Sequence, residues 1–412
     1  MNNGKMHEAV IIGAARTPVG KFMGEIGSIS APDLGAIAVR AAVERSGVDP
    51  GSVYEVLMGN VVSAGIGQAP ARQAALNGGL PDTVGAAAVN KVCGSGLKTV
   101  MMAANAIAGK EADVFVAGGM ESMSRAPYFL PKARQGYKYG NGQIKDTLLE
   151  DGLWCSFQEW VMGNAAEFIA KQFEVSREEM DEYALNSHRK AAEATATGFF
   201  SAEVQPVEVK GRKGQIATIE RDEPIRASFE DGTVQLGTSI EQLAALPPVF
   251  ESDGQVTAGN APGLNDGAAA LVITSREVAD YQGLKPMAKI VGYTHAAVDP
   301  QWIFAAPARA IPRLLDKLGW TLDEVDLIEL NEAFASQVLA NGVELTQKGY
   351  PWDWNKVNIQ GGAIALGHPL GATGARILVT LLHSLQRLDL RRGIASLCLG
   401  GGEAVALAVE LE

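Results

Sequence analysis

The chain has 412 residues and 43.3 kDa, too long for one small core, with 47% apolar and 20% charged residues. A formal net charge of -12 argues against broad attraction to nucleic acid or anionic lipid, and no run approaches the ~20 unbroken apolar residues of a membrane span. Cys93, Cys155 and Cys398 are too scattered for a disulfide framework and suit a reducing cytoplasm, and "MNNGKMHEAVIIGAARTP" lacks the parts of a secretory signal.

In chain order, "EAVIIGAARTPVGKF" predicts a buried strand over residues 8–13, running into a loop that stops at Pro18. "APDLGAIAVRAAVERSG" has helical periodicity, an acidic first turn and Gly47 just past its end. "VYEVLMGNVV" reads as strand and "APARQAALNGG" as helix. Next come a strand in "VGAAAVNKV", a Cys-Gly-Ser-Gly turn, a helix over residues 97–108 and the strand "DVFVAGG". This alternation predicts a parallel sheet covered by helices.

Between roughly 125 and 255 aromatic, charged and turn residues rise. A helix over residues 176–198 is started by the capping pattern of Ser176 and Glu179. The stretch "IERDEPIRASFEDGTVQLGTSIEQLAALPPVF" reads as mostly irregular, either an inserted ligand-holding region or a solvated excursion. From "KVNIQGG" to the C-terminus the order strand, Gly-rich turn, apolar helix, strand recurs, which suggests two duplicated halves.

Four junctions carry candidate chemistry. Cys93 in "VCGSGLK" precedes a helix start, where unpaired N–H groups lower a thiol's pKa; the alternative is an inert buried residue. His368 in "GGAIALGHPLGATGAR" stands before Pro369 and is either functional or structural. Cys398 ends the strand "IASLCL" and opens onto three glycines whose N–H groups are available to an oxyanion. Asn331 and Glu332 follow the strand "VDLIEL" and need hydrogen bonds if buried; N-capping is the structural reading of Asn331.

Jointly, two thiols and an imidazole at Gly-rich junctions are the parts for covalent acyl transfer followed by proton transfer. A Cys-Cys-His metal site lacks a C-x-x-C or H-x-x-x-H pair and a fourth ligand. "GAARTPVG" and "GGAIALG" fail the G-x-G-x-x-G spacing of a dinucleotide site.

"GAARTPVGKF", "VCGSGLK", "GGMESMS", "VTAGNAPGLNDGAAA", "NEAFA", "GHPLGATGAR" and "CLGGGEA" together resemble the thiolase family, the acetyl-CoA acetyltransferases and 3-ketoacyl-CoA thiolases, along essentially the whole chain. The resemblance implies a five-layered αβαβα fold of two related halves with an inserted loop domain. We place the first half at 1–124 plus 256–276, the insertion at 125–255 and the second half at 277–412. It also implies a ping-pong reaction in which Cys93 carries the acyl group, His368 takes the thiol proton and Cys398 exchanges the α-proton. Asn331 would hold a water at the enolate oxygen, and the N–H groups of Cys93 and Gly400 would meet the acyl-transfer oxyanion.

Acyl-CoA and coenzyme A would be substrates, with no resident cofactor or metal. By the same likeness Arg226 would contact the nucleotide, and Leu153, Met162, Phe250, Ala258, Gly259 and Phe334 the pantetheine channel. A cytoplasmic homotetramer or dimer acting on short chains is implied. A medium-chain, long-chain or branched 3-ketoacyl-CoA thiolase and a non-catalytic acyl-CoA or lipid binder are the alternatives. The chain departs from short-chain relatives at Val161, where histidine is frequent, at Pro262, where serine is usual, and at "QWIFAAPARAI", which puts Phe304 near the expected acyl pocket.

Overall fold

The computed structural model describes residues 7–211, 214–230 and 233–412, so the part of the signal-sequence reading that rests on residues 1–6 lies outside it. From one outer edge the main sheet runs Gly85–Val89, Glu55–Gly59, Val114–Ser122, Asn265–Ser275, Ala9–Arg16. It continues through Ala288–Ala297, Glu403–Glu410, Arg392–Leu399 and Leu327–Leu330. Val10 and Ile11 join the halves by pairing with Lys289 and Ala288.

Numbered within its own half, each set of strands follows the order 3-2-4-5-1, the third strand of the second half being reduced to a bridge between Val357 and Ile328. The duplication read from the sequence is therefore a duplication of topology. The expected parallel sheet is mixed. Pairing is parallel among the outermost strands and antiparallel toward the centre, because Arg392–Leu399 returns directly as Glu403–Glu410 through a tight turn at Gly400, Gly401 and Gly402. Gly401 and Gly402 have φ of 89° and 85°, a region that favours glycine.

The strand read in "KVNIQ" is missing because Asn358 takes φ 46° and offers its side chain instead. Its Oδ1 accepts from the Leu330 N–H at 2.9 Å and its Nδ2 donates to the Leu330 carbonyl at 2.8 Å. One amide thus stands in for a ladder partner.

Five layers follow from where apolar side chains point. The helices Ala31–Ser46 and Pro70–Asn77 pack with Val10, Val56, Val116 and Val272 on one outer face. Pro307–Leu318 and Ala335–Gln347 pack with Ile328, Ile394 and Ala406 on the other. Between the two halves lie the helices Ser95–Ala108 and Leu370–Arg387, in one core with Leu57, Phe115 and Leu271 of the first half and Leu397 and Leu407 of the second. A helix clamped on both sides must be apolar all round, and Leu370–Arg387 is buried at nearly every position.

The two central helices touch through their backbones. A Cβ on Gly96 would lie 2.9 Å from the Gly371 carbonyl oxygen and 2.8 Å from Ala375 N, and one on Gly371 would lie 2.8 Å from the Met120 carbonyl oxygen. On Gly119 it would fall inside the Gly371 carbonyl.

The insertion is more regular than its sequence suggested. Arg177–Ala196 is a helix with the capping box at Ser176 and Glu179 in place. The stretch expected to be irregular holds the hairpin Ala227–Glu230 with Thr233–Leu236 and the short helix Ile240–Ala244. Strands of four residues are too short to leave a readable alternation. Buried Arg16 ties the insertion to the first half, donating to Glu203 Oε1 at 2.6 Å and to both Asp222 oxygens at 2.6 and 2.9 Å.

Gly119→Ala should lower stability by about 3 kcal/mol, the upper end of the usual cost of overpacking, because the obstructing atom is main chain that cannot turn aside. Urea unfolding checks this, and an unchanged midpoint would contradict the backbone contact.

Candidate active site

The turn before the helix Ser95–Ala108 is tightly bonded. Asn90 Oδ1 accepts from Val92 N at 2.9 Å, and Ser95 Oγ accepts from Lys91 N at 2.8 Å while donating to the Val92 carbonyl at 2.6 Å. Val92 is held at φ 46°, costly for a β-branched residue and found where a neighbouring group must be aimed. That neighbour is Cys93. The main-chain N–H groups of Cys93 itself and of Gly400 lie close enough to the sulfur to favour its thiolate.

The thiol is not the low-pKa group that its helix-start position suggested. Burial pushes Cys93 up to about 12, the two N–H groups offset this in part, and the nearby Glu121 carboxylate adds to the rise. Desolvation outweighs the dipole because a helix end supplies only partial charges. Cys398, 1% exposed, is raised well above the ordinary thiol value by burial and then by the proximity of Cys93. His368 moves the other way, burial and then the Arg376 charge lowering it to about 3. At neutral pH all three groups are uncharged.

His368 is pinned from three sides. Its N–H donates to Asn265 Oδ1 at 2.9 Å, Nδ1 lies 2.7 Å from Thr373 Oγ1, and Nε2 faces Asn331 Nδ2 at 3.5 Å. Asn331 does not cap a helix, since Ala335–Gln347 begins after Phe334 with no side-chain cap. Its Oδ1 has no hydrogen-bond partner among the described residues, so Asn331 keeps acceptor capacity at the histidine. Glu332, by contrast, is consumed by Tyr183, Ser187, Asn358 and the Ile364 N–H, a structural role.

Cys93, His368, Cys398 and Gly400 line one mostly apolar cavity of about 230 Å³. Leu153, Met162, Phe250 and Phe334 line it too. Arg226, Ala258 and Gly259 do not; Arg226 Nη2 donates to the Ala258 carbonyl at 2.7 Å, and Gly259 packs on Leu243. Cys155, in a two-residue strand paired with Trp160, is buried off the cavity wall. Among the described residues no group of three or more His, Cys, Asp or Glu side chains is placed to hold a metal ion, and no helix is long and apolar enough to cross a membrane.

Residues 9–277 match the family model for the thiolase N-terminal domain and residues 284–411 that for the thiolase C-terminal domain. The chain belongs to the thiolase family. Curated thiolase relatives include the acetyl-CoA acetyltransferases of Escherichia coli K12, 50% identical over 98% of this chain and 99% of that one, and of Cupriavidus necator, 49% identical over 98% and 100%. The solved acetyl-CoA acetyltransferase of Syntrophomonas wolfei superposes with a TM-score of 0.94 at 41% identity over 99% of this chain and all of that one. That of Bacillus anthracis gives 0.93 at 43% identity over the full length of both. The resemblance drawn from the motifs and the fold it implied are both borne out.

Within this thiolase the three departures converge, for Val161, Pro262 and Phe304 all line the cavity. Phe304 packs against Phe334 in a tilted pair with ring centroids 5.4 Å apart, and Phe334 meets Phe250 edge-on at 6.3 Å. Sequence reasoning missed the groups that position the site: Asn265, Thr373, and Glu121, which accepts from Val61 N, Val62 N and Gly371 N. A polar residue at the start of an apolar strand, as at Asn265, was the available signal.

Because burial raises the Cys93 thiol, its alkylation by iodoacetamide should be slow near neutrality and still be rising beyond the ~8.5 of a free cysteine. Peptide mass against pH measures this; a plateau by about 8.5 would contradict the neutral resting thiol.

Proposed function

We propose that the protein is an acyltransferase that condenses two acyl-CoA molecules, and thiolyses 3-ketoacyl-CoA in reverse, through an acyl thioester on Cys93. The observation that carries this reading is the presence of Cys93, His368, Cys398 and Gly400 on one cavity. CoA thioesters enter as substrates, and the chemistry needs only side chains and backbone. Residues 125–255 serve as the CoA-holding insertion between halves at 1–124 with 256–276 and at 277–412, and Arg226, Ala258 and Gly259 act beyond the cavity on the CoA moiety. We read the protein as a cytoplasmic homo-oligomer, a tetramer or dimer.

A neutral resting site dictates the proton path. Cys93 Sγ attacks the thioester carbon as its proton passes to His368 Nε2, and the tetrahedral oxyanion is met by the N–H groups of Cys93 and Gly400. Collapse breaks the bond to the CoA sulfur, which takes a proton from Cys398 and leaves. The acyl-enzyme then holds a Cys398 thiolate beside a His368 imidazolium. The thiolate removes the α-proton of the second acyl-CoA, and the imidazolium and the water on Asn331 stabilise the enolate oxygen. The enolate carbon attacks the acyl carbon, the bond to Cys93 Sγ breaks, and His368 returns the proton to that sulfur. Charges are thus created one pair at a time inside the apolar cavity.

Phe304 favours short chains, since a longer acyl group in this cavity has to displace a ring packed against Phe334.

Incubation with acetyl-CoA should add one acetyl group to the peptide bearing Cys93, and Cys398→Ala should form that adduct more slowly, CoA leaving as its thiolate, while losing ~10³-fold or more of condensation. No adduct on Cys93 would leave a non-catalytic acyl-CoA binder. Phe304→Ala should raise kcat/KM for six-carbon over four-carbon 3-ketoacyl-CoA by about tenfold. A wild-type preference for long or branched chains would reverse the assignment.

A further inference from the structure

We propose that Thr373 is a positioning residue that keeps His368 in the tautomer with its proton on Nδ1, so that Nε2 carries the lone pair used in acyl transfer; this rests on the role assigned to His368 above. A threonine hydroxyl has one hydrogen, and the Pro369 carbonyl one helical turn back, 2.9 Å from Oγ1, is placed to accept that of Thr373. With that hydrogen on Pro369, Oγ1 faces Nδ1 at 2.7 Å with its lone pairs, and Nδ1 is then the donor. On the other side of the ring, Asn331 Nδ2 is a donor at 3.5 Å, which suits an unprotonated Nε2. Both contacts select the same tautomer, and which ring nitrogen carries the proton is set by the partner of the other.

The arrangement matters because Nε2 must gain and lose a proton in each half-reaction while Nδ1 changes nothing. A fixed acceptor at Nδ1 serves the neutral ring and the imidazolium alike. Thr373 is fully buried and His368 6% exposed, so water does not replace the hydroxyl when it is removed. The Asn265 contact holds the histidine main chain and leaves the tautomer free, so the choice falls to Thr373. The bond from Thr373 to Pro369 is a common way for a helical threonine to satisfy itself. Here it engages the hydroxyl proton and turns the oxygen's lone pairs toward the ring.

The test has two arms. In the wild-type enzyme, ¹⁵N-histidine labelling with long-range ¹H–¹⁵N correlation should show one of the five imidazoles, identified by its absence in His368→Asn, protonated at Nδ1. A proton on Nε2 overturns the proposal whether or not the acyl-transfer reading holds. In the second arm Thr373→Val keeps the branched shape and removes the acceptor. It should lower kcat by roughly 10- to 100-fold with KM and melting temperature nearly unchanged, while Thr373→Ser recovers most of the rate. Unchanged kcat in Thr373→Val, or Thr373→Ser as impaired as Thr373→Val, would reduce the hydroxyl to a packing role. If Thr373→Val does not fold, the wild-type spectrum decides.

Discussion

The structure depends on the contact between the backbones of two buried helices. Ser95–Ala108 and Leu370–Arg387 cross near their first turns at Gly96, Gly371 and Gly374, each with neighbouring main chain inside the radius of a methyl group. Cys93 and His368 stand just before those turns. Bringing two helix starts to backbone contact therefore brings a thiol and an imidazole from opposite ends of the chain to one cavity. The same approach lets both halves of the sheet close on the helix pair, so one core stabilises the fold and sets the site.

The cavity is organised around keeping charges absent until substrate arrives. Burial raises both thiols and lowers the histidine, which lies near the fixed positive charge of Arg376. Such a site binds a thioester, itself uncharged at the reacting carbon, without the cost of desolvating an ion. In the proposed reaction the N–H groups of Cys93 and Gly400, which already lie by the resting sulfur, are the donors that the oxyanion meets. Thr373, Asn265 and Glu121 extend this by holding the imidazole and the first turn of its helix.

The site was legible to different depths. Cys93, His368 and Cys398 stood out because each reactive side chain sits at a glycine-rich junction, and glycine there reports close backbone approach. Asn331 was visible as a polar residue after an apolar strand, although its capping reading failed once the helix began four residues later. The expected low thiol pKa failed because sequence shows a helix start but not the desolvation around it. The hairpins of the insertion escaped notice because strands of four residues carry almost no period, and the strand at Val357 was overread because nothing in "KVNIQ" shows that Asn358 will bend the chain and bond Leu330 with its side chain.

The sequence by itself determined the alternation of strands and helices, since periodicity, capping and glycine placement are local properties written in neighbouring residues, while the likeness of its motifs gave the family and singled out the candidate reactive groups. Only the tertiary structure decided how those groups behave. Whether a thiol is charged, which imidazole nitrogen holds the proton, and that Val161, Pro262 and Phe304 share one wall all depend on desolvation and on contacts between residues hundreds of positions apart. No local pattern encodes those, because they exist only after the chain has closed on itself.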